Sequence, residues 1–217
     1  MPPSETEGPK WLNLPRIEVI FLVLLLVTTV CSTFCAYQAN HWSSIQGRKY
    51  QEATSLRTES VRAYNDANTH MLIDLSAFLA WIDAMVMNDT VRAGGIADRF
   101  TLEFKPAFAA WADLVRGQPK GTIPPGTPFS LPEYNLGSRV QGVLLEENAT
   151  AAFNEALAAG NVSSSYVLNT LIYAIVLFLC GVGERWKTPQ LQKVILLAAI
   201  LLFSYATAML LWLPKGF

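Results

Sequence analysis

Three stretches of this chain are too poor in charge to face water. Residues 17–39 carry one charged side chain, Glu18, and residues 166–183 and 194–213 carry none. A helix rises 1.5 Å per residue, so each run reaches roughly 27–34 Å, close to the thickness of a bilayer core. Charged residues make up 15% of the whole chain, against about 25% in soluble domains. The sequence therefore predicts an all-α membrane protein with three transmembrane helices. The polar residues between the first and second spans would form an extracytoplasmic helical stalk or bundle. A net charge of −1 excludes a strongly basic nucleic-acid binder. Three cysteines are too few for a disulfide scaffold.

A cleaved signal peptide is the rival reading of the first run, with Lys10 and Arg16 as its basic flank. Its cleavage chemistry is poor. Phe34 or Tyr37 stands where a small residue is needed near positions 35–39, and neither Cys31 nor Cys35 follows a lipoprotein pattern. The first run reads as an uncleaved anchor. Tyr166 and Trp186 bracket the second span and Trp212 ends the third, as interfacial aromatics do.

Short-loop charges set the expected orientation. Lys10, Arg16, Arg185, Lys187 and Lys193 lie on one side, and Arg48, Lys49 and Lys215 on the other. The positive-inside rule then predicts a cytoplasmic N-terminus at 1–16, a cytoplasmic loop at 184–193, an extracytoplasmic segment at 40–165 and an extracytoplasmic end at 214–217.

The extracytoplasmic segment reads as helix. Between Gln38 and Asn88 there is no proline, and the only glycine is Gly47. A seam runs through Ala53, Leu56, Ser60, Ala63, Ala67, Met71, Leu75, Phe78, Ile82 and Met85 at steps of three and four. The first span should continue outward as one long helix, stopped by Asn88-Asp89-Thr90. A break at 64–68 would give a compact four-helix bundle instead, but the unbroken seam favours the stalk. A second helix is expected over 90–116, weakened at Gly94-Gly95 and kinked near Pro106. Residues 117–132, with five prolines and three glycines, read as a loop. A third helix is expected over 133–159, carrying Val140, Val143, Leu144, Ala151 and Leu157 and ended by Gly160-Asn161.

Candidate sites are few. His41 and His70 lack a second ligand one turn away, and Cys31 and Cys35, with Cys180 far off, read as helix packing. Glu18 is the one acid within the spans, and Thr28, Thr29, Ser32 and Thr33 are the polar residues that could line a path. Asp74, Asp83, Asp98, Glu103 and Asp113 read as solvated helix charges interleaved with Arg92, Arg99 and Lys105. Phe100, Phe104, Phe108 and Trp111, with Leu75, Phe78 and Ile82, form the candidate packing or interaction stripe. No Walker loop, dinucleotide fingerprint, nucleophile elbow or zinc-protease motif occurs. No cofactor and no catalytic or metal site is therefore expected. Asn88, Asn148 and Asn161 begin glycosylation triplets that matter only in a glycosylating host.

The ordered set Ala36-Tyr37-Gln38, Asp74-x3-Phe78-x2-Trp81, Arg99-Phe100-x2-Glu103-Phe104-x-Pro106-Ala107-Phe108-x2-Trp111, Pro132-Glu133-Tyr134 and Tyr166-Val167-Leu168-x-Thr170 resembles a group of bacterial three-helix membrane proteins with no assigned activity. The resemblance runs over nearly the whole chain. It implies a bacterial inner membrane, a periplasmic helical segment and no glycosylation, and it carries over no ligand or catalytic residue.

The leading expectation is a non-enzymatic membrane protein acting by helix-mediated contact with itself or another membrane protein, with the lipid bilayer as its other partner and no nucleic acid. A homo-oligomeric channel or transport component is the first alternative. An extracytoplasmic sensor signalling through a membrane partner is the second.

Overall fold

The computed structural model describes residues 16–117, 126–186 and 188–216. Lys10, Lys187 and much of the proline-rich loop lie outside them. All regular structure among the described residues is helical: α1 (Arg16–Val86), α2 (Thr90–Ala97), α3 (Phe104–Arg116), a 3-10 turn (Pro128–Ser130), α4 (Gly137–Arg185) and α5 (Pro189–Trp212). Three of these helices, α1, α4 and α5, are long and apolar enough to cross a membrane.

Helix α1 has 71 residues and no internal proline, and it is not interrupted at 64–68. It stops where the sequence places the stop. Asn88 adopts the left-handed conformation at φ 58°, which asparagine tolerates better than most residues. The Asp89 amide donates to the Ala84 carbonyl and the Asn88 amide to Met85, the paired bonds of a Schellman cap. The Asp89 side chain then accepts from the Arg92 amide at 3.0 Å and starts α2.

Two expected boundaries are corrected. The single helix over 90–116 is two helices, α2 and α3, parted at 98–103. The Thr101 hydroxyl accepts from the Phe104 amide at 3.2 Å where α3 begins. Pro106 is the third residue of α3 and so falls in its first turn, where its missing N–H costs no helical bond. The helix expected to end at Gly160-Asn161 instead continues, so that α4 runs for 49 residues into the second apolar span. An interior glycine costs only about 1 kcal/mol, and packing across the helix outweighs it.

The chain divides into two compact units, residues 51–152 and the remainder. In the unit formed by residues before 51 and after 152, α1, α4 and α5 pack through a mixture of small side chains and the large rings of Phe21, Tyr166 and Tyr173. Buried positions on α4 are Ala156, Ala159, Ser163, Tyr166, Asn169, Tyr173, Val176 and Cys180, separated by three or four residues as in a left-handed helix pair. Facing them are Phe21, Thr28, Cys35 and Ala39 of α1, and Ala199 and Ala206 of α5. Antiparallel pairing of α1 with α4 shows in Ser163 Oγ donating to the Ala39 carbonyl at 2.9 Å and in the Lys49–Glu155 ion pair at 2.9 Å.

In the unit of residues 51–152, buried residues of α1 recur every seventh position through Ala53, Ser60, Ala67 and Asp74, and Phe78 and Ala84 continue the buried side toward its end. Ser60 donates to the Gly142 carbonyl of α4 at 2.8 Å, and the ring of Tyr64 lies against Gly142. The inward side of α4 here is Gly142, Ala149 and Ala152. The larger apolar residues of that helix, Val140, Val143, Leu144 and, further on, Leu157, are exposed. Small residues let two helix axes approach closely, and the larger apolar side chains are left on the outside.

Candidate functional site

The unit of residues 51–152 has one concentrated core. Phe78, Phe100 and Phe104 are buried, with Trp81, Phe108, Trp111, Phe129 and Tyr134 packed against them. Edge-to-face contacts dominate, including Phe78–Trp111 at 5.3 Å, Trp81–Phe108 at 4.9 Å and Phe100–Phe104 at 4.9 Å between ring centres. Such pairs add about 0.5–1.5 kcal/mol each beyond area burial. Four of the expected stripe residues, Phe100, Phe104, Phe108 and Trp111, thus converge with Phe78, and the rings fill one another's space. Leu75 is half-buried at the margin, while Ile82 is on the surface.

Asp74 overturns the expectation of a solvated helix charge. It is 1% exposed. Its two carboxyl oxygens accept from the Thr101 hydroxyl at 2.7 Å and the Tyr134 hydroxyl at 2.9 Å. Three segments far apart in sequence are pinned at this point: α1, the turn into α3 and the stretch before α4. Burial raises the Tyr134 phenol above its ordinary value, and the hydrogen bond to Asp74 and that group's negative charge raise it further. The other acids stay on helix surfaces, and Asp113 pairs with Arg116 at 2.8 Å in the open. No group of three or more His, Cys, Asp or Glu suited to a metal occurs among the described residues.

The intramembrane polar candidates do not gather into a site. Thr28 is buried, whereas Thr29 and Thr33 are exposed and Ser32 is half-buried. Thr28, Thr29 and Thr33 each donate to the carbonyl four residues back. Glu18 is half-buried in the first turn of α1, where the helix dipole favours a carboxylate.

Several buried polar groups make contacts that no local sequence pattern signals, and Tyr166, read as an interfacial aromatic, is one of them. Gln38 is fully buried; its amide donates to the Gly216 carbonyl at 3.0 Å and accepts from the Gly216 amide at 3.2 Å. Tyr166 donates to the Pro214 carbonyl at 3.1 Å. Asn169 donates to the Ala206 carbonyl at 3.1 Å and points at the Cys35 sulfur at 3.6 Å. Tyr173 and Thr207 share a bond at 3.1 Å. These contacts fasten α5 and the segment after it to α1 and α4.

The second concentration of apolar side chains is on the surface, around the end of α1. Leu72 is 63% exposed, Leu79 56%, Ile82 37% and Val86 75%, and Met85, Met87, Val91 and Leu102 are exposed nearby. Scattered single apolar residues need no explanation, but Leu72, Leu79, Ile82 and Val86 share one face of α1 by their helical spacing, and an apolar face left exposed marks an interaction surface. No protein-family model matches the chain, and comparison with curated proteins and with solved structures likewise gives no match.

Proposed function

We propose that this chain is a non-enzymatic, multi-pass membrane protein that works by helix-mediated contact with another membrane protein or with itself. One observation carries the reading: the exposed apolar set Leu72, Leu79, Ile82 and Val86, which shares one face of α1. It lies in the unit richest in charge, where water rather than lipid is the natural surround, so burial against protein is what such a surface calls for. The aromatic core next to it is closed by its own rings and by the Asp74 contacts, which supports a scaffold role for that core. In this reading the protein sits in a bacterial inner membrane, as the resemblance implies, with its N-terminus cytoplasmic and residues 40–165 on the opposite, periplasmic side, as the loop charges imply. A transport role draws less support, because the threonine hydroxyls of α1 are engaged with their own helix and point to different sides.

Light scattering of the full chain in mild detergent tests the reading. The native protein should run as an oligomer or with a bound membrane protein. Leu79→Asp with Ile82→Asp should reduce it to a monomer without loss of helicity, since both positions are already exposed. A native protein that is a monodisperse monomer with no recovered partner overturns the reading.

A further inference from the structure

Resting on the helix-docking reading, we infer that the occupant of the α1 surface is a second copy of this chain, paired in parallel along Leu72, Leu75, Leu79, Ile82 and Val86. These five residues are separated by steps of three, four, three and four, the spacing of a coiled-coil seam. Four of them are exposed and Leu75 is half-buried. Toward the N-terminus the same steps continue through Asn65 and Asn68, both exposed. Asparagine at a seam position holds register by pairing with its own counterpart, at some cost in stability. That arrangement favours like against like and disfavours sliding one helix past the other.

The membrane supplies the direction. Helix α1 is continuous from the first apolar span to Val86, so in two copies sharing a bilayer it leaves the membrane the same way at the same height. Leu72 then meets Leu72, Leu79 meets Leu79 and Val86 meets Val86. The positions flanking the seam, Thr69, Met71, Ser76, Phe78, Asp83 and Met85, hold a single charge, so like charges do not line the approach. The seam spans ~21 Å of helix. That is short for a dimer formed from free solution, but copies confined to a bilayer meet at a much higher effective concentration.

The test uses the full chain in its own membrane with Leu72→Cys, Leu79→Cys, Val86→Cys or, as a control on a neighbouring exposed position, Ile73→Cys, each oxidised beside the unsubstituted parent, whose own cysteines set the baseline. Parallel pairing predicts disulfide dimers at 72, 79 and 86, and roughly fivefold less at 73, because a disulfide needs Cβ atoms about 4 Å apart. Leu79→Asp placed in the Val86→Cys chain should abolish most of its dimer. Equal cross-linking at 73 and 79 overturns the inference, since it reports collision only. Cross-linking of tagged Leu72→Cys to Val86→Cys in preference to either alone overturns the parallel direction. If no position cross-links, the second copy is excluded. A photoreactive residue at Leu79 that then captures a different membrane protein would leave the broader docking reading standing, and its failure to capture any would remove both.

Discussion

Asp74 shows how one side chain can hold together segments that are distant in sequence. Thr101 lies 27 positions along and Tyr134 60 positions along, and neither separation has a period that a local pattern reveals. A charged residue on a helix is most often solvated, so the sequence alone assigned it to the surface. One cue was present: Asp74 falls seven residues after Ala67, itself seven after Ser60 and fourteen after Ala53, so it occupies the packed register of α1. The aromatic residues were easier to read, because Phe100, Phe104, Phe108 and Trp111 follow one another at helical steps, although the partners Phe129 and Tyr134 come from outside that helix. Tyr134→Phe removes one donor from Asp74 and leaves a buried oxygen unpaired, which should cost about 1–3 kcal/mol at pH 8. The pH dependence has a definite sign. The folded phenol is held above its ordinary value of 10.0, so above pH 10 the unfolded chain releases a proton that the folded chain retains. Stability contributed by Tyr134 therefore falls as pH rises past 10, and the gap between wild type and Tyr134→Phe should narrow there. Thermal unfolding of both proteins at pH 8 and pH 11, followed by the fluorescence of Trp81 and Trp111, measures it.

Helix α4 shows where local signals lose to packing. Gly160-Asn161 has the composition of a helix stop, yet α4 passes through it, with the side chain of Gln46 from α1 lying over the glycine: an added Cβ would fall 2.5 Å from its amide nitrogen. The same length of chain shows that large apolar residues need not mark the packed face. Val140, Val143 and Leu144 look like a core face, but the face that packs is Gly142, Ala149 and Ala152, whose small side chains have little hydrophobic signal. Legible elements were those whose signals are local and strong: the charge-free spans, the proline-free length of α1 and the Asn88-Asp89 stop. Two glycines of α4 should respond differently to alanine. At Gly160 the neighbour is the mobile end of a glutamine, which can swing aside, and the gain in helix propensity of about 1 kcal/mol offsets the crowding. At Gly183 a Cβ would lie 2.7 Å from the buried ring of Phe21 and 3.0 Å from Ile195, and neither can move without opening the packing. Gly183→Ala should therefore destabilise by about 1–3 kcal/mol, with Gly160→Ala near neutral, as judged by midpoints of thermal unfolding in one detergent.

For the whole molecule, orientation in the membrane decides which solution meets each exposed surface, and so what the apolar end of α1 can bind. The proposed orientation rests on five basic residues beside the N-terminus and the α4–α5 turn against three on the other side. Lys and Arg near span ends resist translocation, whereas acidic residues contribute little, so the count of basic residues is the relevant quantity. The α4–α5 region carries most of the bias, because Arg185 ends α4 and Lys193 lies in the second turn of α5, on either side of a connection too short to cross the bilayer independently of its flanking helices. Three spans then place the 40–165 segment opposite that turn. A reporter fused after Pro189 should register as cytoplasmic, and one inserted at Gly121 as periplasmic. Replacing Arg185, Lys187 and Lys193 together with Gln leaves two basic residues against three, and it should raise the fraction of molecules in the reverse orientation. Labelling of single cysteines at 121 and 189 by a membrane-impermeant maleimide, from either side of intact cells and inverted vesicles, distinguishes the outcomes. Reversed labelling in the unsubstituted chain would put the Leu72–Val86 surface in the cytosol and assign its partner there, whereas the expected pattern restricts that partner to proteins that present a helix on the periplasmic side.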